Sequence, residues 1–556
     1  MRNNILLIIY LFCVCIFVGV THHYTILGID DANIYFVYMK NFADGHGFVY
    51  NIGSEKVEGF TSILWTLIGS LIFKFTSHIE FILLSINFIL IFLSIKIILK
   101  LIYSYIDDYN LASNYSLLFL GLLFIFPGFF DWTIFSLLET GLWTFELTVF
   151  TYLLVIPYLS DNFTFNKSSI LIALIVPFFI ITRPESMLFC LVFIGIRFIQ
   201  LLIEKQSFKV ILQQVSTIIF TYLISLFLLT KWRLYYFGFP FPNTYYIKMT
   251  DGFTNNLHEG FIYFIKYLIR INPLIVLLIA CIIIWIYLNI LSKKYTSKNK
   301  TIAVLVILTG LGISIPFYTG GDHFRMSRFY QTFSPIFHLT SLFIVYSLSK
   351  KYSFLRKIES KKVVIISLFL LSILPINNLY SLIINNKNTI AIEFHIAKEN
   401  RIIGEKLNHF FEHTKKPSIG YVTAGGIAYT YNGYVNDVLG LNNIEVAHTI
   451  DDRPQEILKS HRAFNKSVFL KQHPELFLNE FVSDTTLFIP FAKRKNIDNE
   501  FGSRVIKHIY KDLDFNKQYT PVYIINKRTK AILFSYAYNE YLRTLDTSLY
   551  TVRIIQ

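Results

Sequence analysis

Two adjacent carboxylates, Asp30 and Asp31, open the stretch GIDDANIYFVYMKNFADGHGFVYNIGSEKVEGF, residues 28–60. Paired acids can share a divalent cation, here Mg or Mn, or divide the labour, one taking a proton while its neighbour positions or ligates. The plainer assignment is an Asp N-cap on the helix DANIYFVYMKNFA. The segment His22 to Phe60 carries the acids Asp30, Asp31, Asp44, Glu55 and Glu58 against Lys40 and Lys56. It is net negative within a basic chain.

Four further clusters bear groups that could do chemistry. ITRPES places Arg183 and Glu185 between two apolar runs, either as a salt bridge pinning helix ends or as an anion site, since guanidinium matches phosphate geometry. KWRLYYFGFPFPNTYYIK, residues 231–248, sets Asn243 and Lys248 among aromatics that suit an interfacial belt or a lipid or sugar groove. YTGGDHFRMSRFY, residues 318–330, packs Asp322, His323, Arg325 and Arg328 into one short loop. A structural turn explains its glycines but not its four ionisable groups. SLLETGLW puts Glu139 at a helix start, where a carboxylate suits the helix dipole and a structural role suffices.

The elements that must position these groups are membrane spans. The chain has 556 residues, 54% hydrophobic and only 16% charged, with a mean hydropathy of +0.50. Soluble domains carry about 25% charged residues, so a polytopic membrane protein is expected. The formal charge of +15 could suggest nucleic acid, but four lysines crowd into Lys293–Lys300 and six basic residues into Lys350–Lys362, between apolar runs. That is the pattern of cytoplasmic loops, and it excludes a nucleic-acid partner. Cys13, Cys15, Cys190 and Cys281 all fall inside apolar runs and read as small buried hydrophobes. Residues 5–20 have only Arg2 before them and no small-residue cleavage site after, which predicts an uncleaved first span.

Apolar runs long enough to span fall near 5–21, 81–103, 113–130, 138–158, 166–182, 185–203, 209–230, 272–291, 301–317, 331–348 and 363–383, eleven in all. SILWTLIGSLIFKF, residues 62–75, would make a twelfth and break the parity that keeps the N-terminus and both basic loops in the cytoplasm. It is therefore expected as a helix lying on the outer surface. With that choice, loops 21–80, 231–271 and 318–330 and everything after 384 lie outside. The tail contains PSIGYVTAGGIAYTYNGYVNDVLGLNN, a strand-like DTTLFIPF and a hairpin-like PVYIINKRTKAILFSYAY. Two units follow: a transmembrane module, 1–384, and a soluble extracytoplasmic α/β domain, 385–556. Independent polar clusters on the odd-numbered loops would then face one side, joining carboxylates to arginines. That chemistry suits a phosphate-bearing substrate and a hydroxyl that needs a base.

In order along the chain, the Asp pair with its aromatic helix, ADGHGFVYN, VEGFTSILWTLI, SLLETGLW, TRPES, YYFGFPFPNTYYIK, YTGGDHFRMSRFY and DVLGLNN form a pattern. It resembles the GT-C superfamily of polyprenol-phosphate-sugar-dependent glycosyltransferases. The branch it resembles includes the terminal arabinofuranosyltransferases of cell-envelope polysaccharide and bacterial membrane mannosyltransferase-like proteins. The resemblance runs from about residue 28 to about 445. It implies a GT-C fold of about eleven spans in a bacterial plasma membrane, with surface-lying helices in the first outer loop. It also implies inverting transfer of a monosaccharide from a polyprenyl-phosphate donor to a glycan or lipid-linked acceptor. Asp30 and Asp31 match the family's catalytic or metal-ligating acid. Glu58, Arg183, Glu185, Asn243, Lys248, Asp322, His323, Arg325 and Arg328 are then candidates for donor phosphate and sugar. His323 stands where the family often has an aromatic. The competing functions are an envelope-lipid transporter, which would carry ionisable residues inside its spans, and a non-catalytic envelope assembly protein.

Overall fold

The computed structural model describes residues 2–126, 128–248, 252–292, 296–352, 389–449, 461–483 and 500–555. The expected last span at 363–383, the 384/385 domain boundary and the strand-like DTTLFIPF lie outside the described residues. The fold is polytopic and helical, with a C-terminal mixed sheet.

Helix α1 (Arg2–Thr21) leads to α2 (Asp30–Ala43), α3 (Ile63–Phe73), α4 (Ile79–Tyr105) and α5 (Tyr109–Ile125). A π-helical turn, Asp131–Phe135, precedes α6 (Thr140–Val155), α7 (Phe165–Thr182), α8 (Ser186–Ile203) and α9 (Phe208–Tyr236). Then come α10 (Asn243–Lys248), α11 (Gly252–Arg270), α12 (Leu274–Ser292), α13 (Ser297–Thr319), α14 (Arg328–Gln331) and α15 (Ser334–Ser349). Among the described residues, seven helices are long and apolar enough to cross a bilayer, eight if α11 and α12, bent by 105°, count as one broken span. The expected runs at 113–130 and 331–348 form helices of 17 and 16 residues. Lipid-facing positions such as Phe220, Leu223 and Phe227 on α9 stay exposed, while its polar Gln214 and Arg233 are buried, the inverse of a soluble helix.

Two ends of the helical body are distinct. At one, Lys298 pairs with Asp107 at 2.7 Å and Lys300 with Glu204 at 2.6 Å, gathering the basic loop against the ends of α4 and α8. At the other end lie the expected odd-numbered loops. Helix α3 begins beside Thr61, which lines the main cavity, and α4 restarts at the same end, where Glu80 bonds Arg401. Eleven residues rise only about 16 Å, half a bilayer core, so α3 does not cross. Its Trp65 is buried and donates to the Leu137 carbonyl at 3.0 Å.

Helix α11 lies inside the expected loop 231–271 and has no counterpart among the expected elements. Asn256, Gly260, Tyr263 and Tyr267 bury one stripe, with the two tyrosines against Tyr330. Phe253, Leu257 and Phe261 keep a flanking apolar stripe exposed. The i, i+4 spacing of both stripes is that of an amphipathic surface helix.

Helix α16 (Ala391–Phe410) opens the C-terminal unit. The sheet strands are β1 (Ile419–Tyr421), β2 (Val435–Asp437), β3 (Leu476–Val482), β4 (Tyr519–Asn526), β5 (Ile532–Tyr538) and β6 (Tyr550–Ile554). Their order is β2-β1-β3-β5-β4-β6, with β2-β1-β3 parallel and the remaining pairs antiparallel. The expected hairpin is β4–β5, in register from Tyr519–Tyr538 to Ile525–Ile532. One face closes over Phe464, Phe469, Phe477 and Phe515. The other packs Ile419, Val435 and Leu476 into the core that continues through α16 to the helices.

Candidate active site

The Asp pair divides because consecutive helical residues point about 100° apart. Asp30 is buried, and its carboxylate accepts from Gly425 N at 3.0 Å, Gly426 N at 2.9 Å and Asn400 Nδ2 at 3.1 Å. All three donors belong to the C-terminal unit. A Cβ on Gly425 would collide with the Asp30 carbonyl, so only glycine admits this approach. Burial pushes the Asp30 carboxyl above its usual range and the Asp31 charge adds to that, while the three donors pull it back. Asp31, half-buried, instead lines the main cavity. The helix cap expected of the pair is absent: Ile29 holds the cap position and both aspartates lie in the first turn, where they complement the dipole.

The grip on Asp30 belongs to a wider seam between the first loop and the C-terminal unit. Arg401 donates to Asn33 Oδ1 at 2.6 Å and to Glu80 at 2.8 Å. Asn51 exchanges two 2.9 Å bonds with the backbone of Val435, and Tyr38 donates to Asn442 Oδ1 at 2.9 Å. The DVLGLNN turn is knotted on Asp437, which accepts from Leu439 N, Gly440 N and both nitrogens of Asn442. Burial raises that carboxyl to about 6 against those bonds.

The main cavity, about 370 Å³, joins the odd-numbered loops in one place. Asp31, Glu139, Glu185 and Asp322 meet Arg183, Arg233 and Arg328 on its wall, with His323 beside them. Each arginine is already tied. Arg183 donates from Nη1 to Glu139 at 2.7 Å and from Nε and Nη2 to both oxygens of Glu185 at 3.1 and 2.9 Å. Despite its burial, Glu185 is held below the ordinary carboxylate range by that guanidinium. Arg328 donates from Nε to Asp322 at 2.9 Å and stacks its guanidinium 4.6 Å from the Phe324 ring. Among the described residues its two Nη groups have no intramolecular acceptor, which leaves four N–H donors for an anion. The remaining wall is apolar: Met187, Leu188, Phe241 and Tyr245, with Leu188, Phe241 and Tyr245 each about 40% exposed.

Several candidates sit elsewhere. Glu58 is not on the wall; it pairs with Arg233 behind it, two-pronged at 2.7 and 2.9 Å, both fully buried. Asn243 donates to the carbonyls of Gly440 at 2.7 Å and Leu441 at 3.1 Å, so it holds the DVLGLNN turn, not a ligand. Arg325 is exposed outside the cavity, its carbonyl accepting from Trp132 at 3.1 Å. The side chain of Lys248 lies outside the described residues. Glu139, assigned a helix-start role, is a cavity carboxylate. Arg233 was missed because a basic residue ending an aromatic span reads as a belt anchor. Glu146 and Arg197 do lie within spans, tied to Thr182 at 2.9 Å and to Ser168, at 2.6 Å, with the Leu153 carbonyl.

For a divalent cation the fit is poor. Asp30 has spent its oxygens on three donors, and among the described residues no group of three or more His, Cys, Asp or Glu could hold a metal ion. Asp30 and Asp31 do not turn to one point: Asp30 faces Gly425, Gly426 and Asn400, and Asp31 faces the cavity.

An acid from the C-terminal unit was also missed, because it lies far along the chain in an unremarkable helix start. Glu393 shares the α16 stripe of Ala397 and Asn400, the residue that grips Asp30. Burial pushes its carboxyl from 4.5 to about 8, with Asp31 and Asp30 adding to the push and Arg325 and Arg328 opposing it. The folded value lies above the unfolded one, so its contribution to stability is full below pH 4.5 and is lost as pH rises toward 8. The unfolding midpoint is therefore expected to fall across that window, and Glu393→Gln to flatten the fall. Thermal scans in detergent from pH 5 to 9 measure it.

No family model matches the sequence, and no curated protein matches it. Among solved structures, the chain is similar to the oligosaccharyltransferase of Archaeoglobus fulgidus in complex with zinc and sulfate. The two are 12% identical over 95% of this chain and 71% of the other, with a TM-score of 0.44. The same enzyme tethered to an acceptor peptide containing the NVT sequon matches at 11% identity over 98% and 75%, with a TM-score of 0.47. No residue role is carried across at this identity.

Proposed function

We propose that this chain is an inverting glycosyltransferase of the GT-C kind. It moves a monosaccharide from a polyprenyl-phosphate donor to a hydroxyl of a cell-envelope glycan or other acceptor, on the outer side of a bacterial plasma membrane. The reading rests on the motif order of the sequence. The observation that carries it is the meeting of Asp31, the paired arginines and a partly exposed apolar wall in one cavity. The cavity end of the molecule faces outward in this reading, and the Lys298–Lys300 end lies in the cytoplasm, as the basic loops require.

Asp31 takes the proton of the acceptor hydroxyl, whose oxygen attacks C1 as the bond to phosphate breaks with inversion. The free Nη donors of Arg328 meet the charge that grows on the leaving phosphate, in a site where water is scarce and such bonds are strong. Because Arg183 is clamped by two carboxylates, it fixes the wall more than it attracts an anion. Phe241, Tyr245 and Leu188 offer the polyprenyl chain an apolar exit to the bilayer.

The test is release of free polyprenyl phosphate from polyprenyl-phosphate pentose and hexose donors, each labelled in the lipid, by protein in nanodiscs with an envelope glycan extract as acceptor. At least one donor is expected to turn over. Arg328→Ala is expected to lose about 10²–10³-fold in rate, the usual cost of one charge-stabilising donor. Full turnover by Arg328→Ala, or consumption of none of the donors, overturns the reading.

A further inference from the structure

A second cavity, about 450 Å³, lies in the C-terminal unit, away from Asp31. It occupies one end of the sheet: Ser418 precedes β1, Tyr434 precedes β2, Glu475 precedes β3 and Tyr538 closes β5. The opposite ends of β1 and β2 lead into Gly425–Gly426 and the DVLGLNN turn, the segments that hold Asp30 and Asn243. Three-residue strands rise only about 10 Å, so β1 and β2 join the second cavity at one end to the segments that grip the first loop at the other.

Its lining contains no aliphatic side chain. Three tyrosines, Tyr434, Tyr538 and Tyr541, supply ring faces, and Tyr434 is 45% exposed. The ring of Tyr538 is held in place by His473, stacked at 4.7 Å. Two lysines, Lys415 and Lys416, are balanced by Glu475 and Glu540. Glu475 is anchored by Ser418, which donates to it from both backbone N and hydroxyl.

An acyl chain or apolar peptide finds no aliphatic wall here, and a polyanion finds no excess of positive charge. Rigid aromatic faces flanked by donors and acceptors of both signs match a neutral sugar, whose rings present an apolar C–H face and a rim of hydroxyls. The volume falls within the ordinary range of ligand pockets, about 300–1,000 Å³. Tyr434 also feels the charge of Glu55, on the first loop that runs on to the cavity-lining Gly59–Thr61.

We propose that this cavity is a carbohydrate-binding subsite that holds an inner, uncharged stretch of the acceptor glycan while the acceptor terminus reaches Asp31. The proposal rests on the glycosyltransferase reading for its biological role, but its test does not. Full-length protein in nanodiscs is titrated with neutral arabinan, mannan and galactan oligosaccharides and with a sulfated heparin oligosaccharide, and ligand contacts are read by saturation-transfer NMR. At least one neutral oligosaccharide is expected to bind. Tyr434→Ala and Lys416→Ala are each expected to weaken it about tenfold or more. Binding by none of the neutral probes, binding of the sulfated probe alone, or binding that survives both Tyr434→Ala and Lys416→Ala overturns the proposal. Because no transfer is measured, a failed transferase reading leaves this outcome legible on its own.

Discussion

Asp31→Asn is expected to lower sugar transfer by about 10²–10⁴-fold, the contribution of a positioned general base, with the unfolding midpoint no lower, since a like charge beside Asp30 and Glu393 is removed. Asn is isosteric with Asp, and among the described residues Asp31 takes no part in the bonds that join the first loop to the C-terminal unit. Asp30→Asn is expected to behave differently. It places an amide NH₂ where two backbone N–H groups and Asn400 converge, so one buried donor loses its acceptor at a cost of about 1–3 kcal/mol. The expected readout is faster hydrogen exchange at the Gly425 and Gly426 amides and a lower unfolding midpoint, with activity lost in proportion. Transfer assays, thermal scans and exchange measured on both variants separate a base from a positioning residue. Should Asp30→Asn silence transfer while exchange at Gly425 and Gly426 stays slow, the two roles are reversed.

Arg233→Ala is expected to destabilise the protein by about 3–5 kcal/mol, because it strands Glu58 as an unpaired charge in a fully buried site. The loss is not confined to the pair. The Glu58 carbonyl accepts from Asn243 N at 2.9 Å, and Asn243 in turn holds the Gly440–Leu441 turn, so the first loop, the end of α9 and the C-terminal unit loosen together. Replacing both partners, Glu58→Gln with Arg233→Met, removes the stranded charge and is expected to recover most of the stability. Thermal unfolding of the two single variants and the double variant in one detergent gives the coupling directly. If Arg233→Ala unfolds at the wild-type temperature, the pair is not the brace described here.

Much of the architecture was legible along the chain because a bilayer imposes a one-dimensional rule. A span must be about twenty apolar residues, and basic residues stay on one side. Composition and run length therefore gave the helical body, and charge parity set α3 aside as a helix that does not cross. Alternation and turn residues around Asn526–Lys530 likewise announced the β4–β5 hairpin. The amphipathic α11 escaped because its apolar stripe is interrupted by polar residues every turn, and a search for long apolar runs passes over such a pattern.

The candidate site was legible as a set of loops but not as an arrangement. Motif order could place Asp30, Asp31, Arg183, Asp322 and Arg328 on one side of the membrane, since each sits at the end of a span. Which groups reach the cavity depends on partners hundreds of residues away. Gly425 and Gly426 turn Asp30 from a candidate base into the grip of the C-terminal unit, Arg233 withdraws Glu58, and the DVLGLNN turn takes Asn243. A carboxylate's chemistry is decided by what compensates its charge, and those compensating donors converge only in three dimensions. The sequence alone determined a basic, many-span membrane protein with acids and arginines gathered at one end. Only the tertiary structure decided that one aspartate of the pair is spent on holding the molecule together, leaving the other to the cavity.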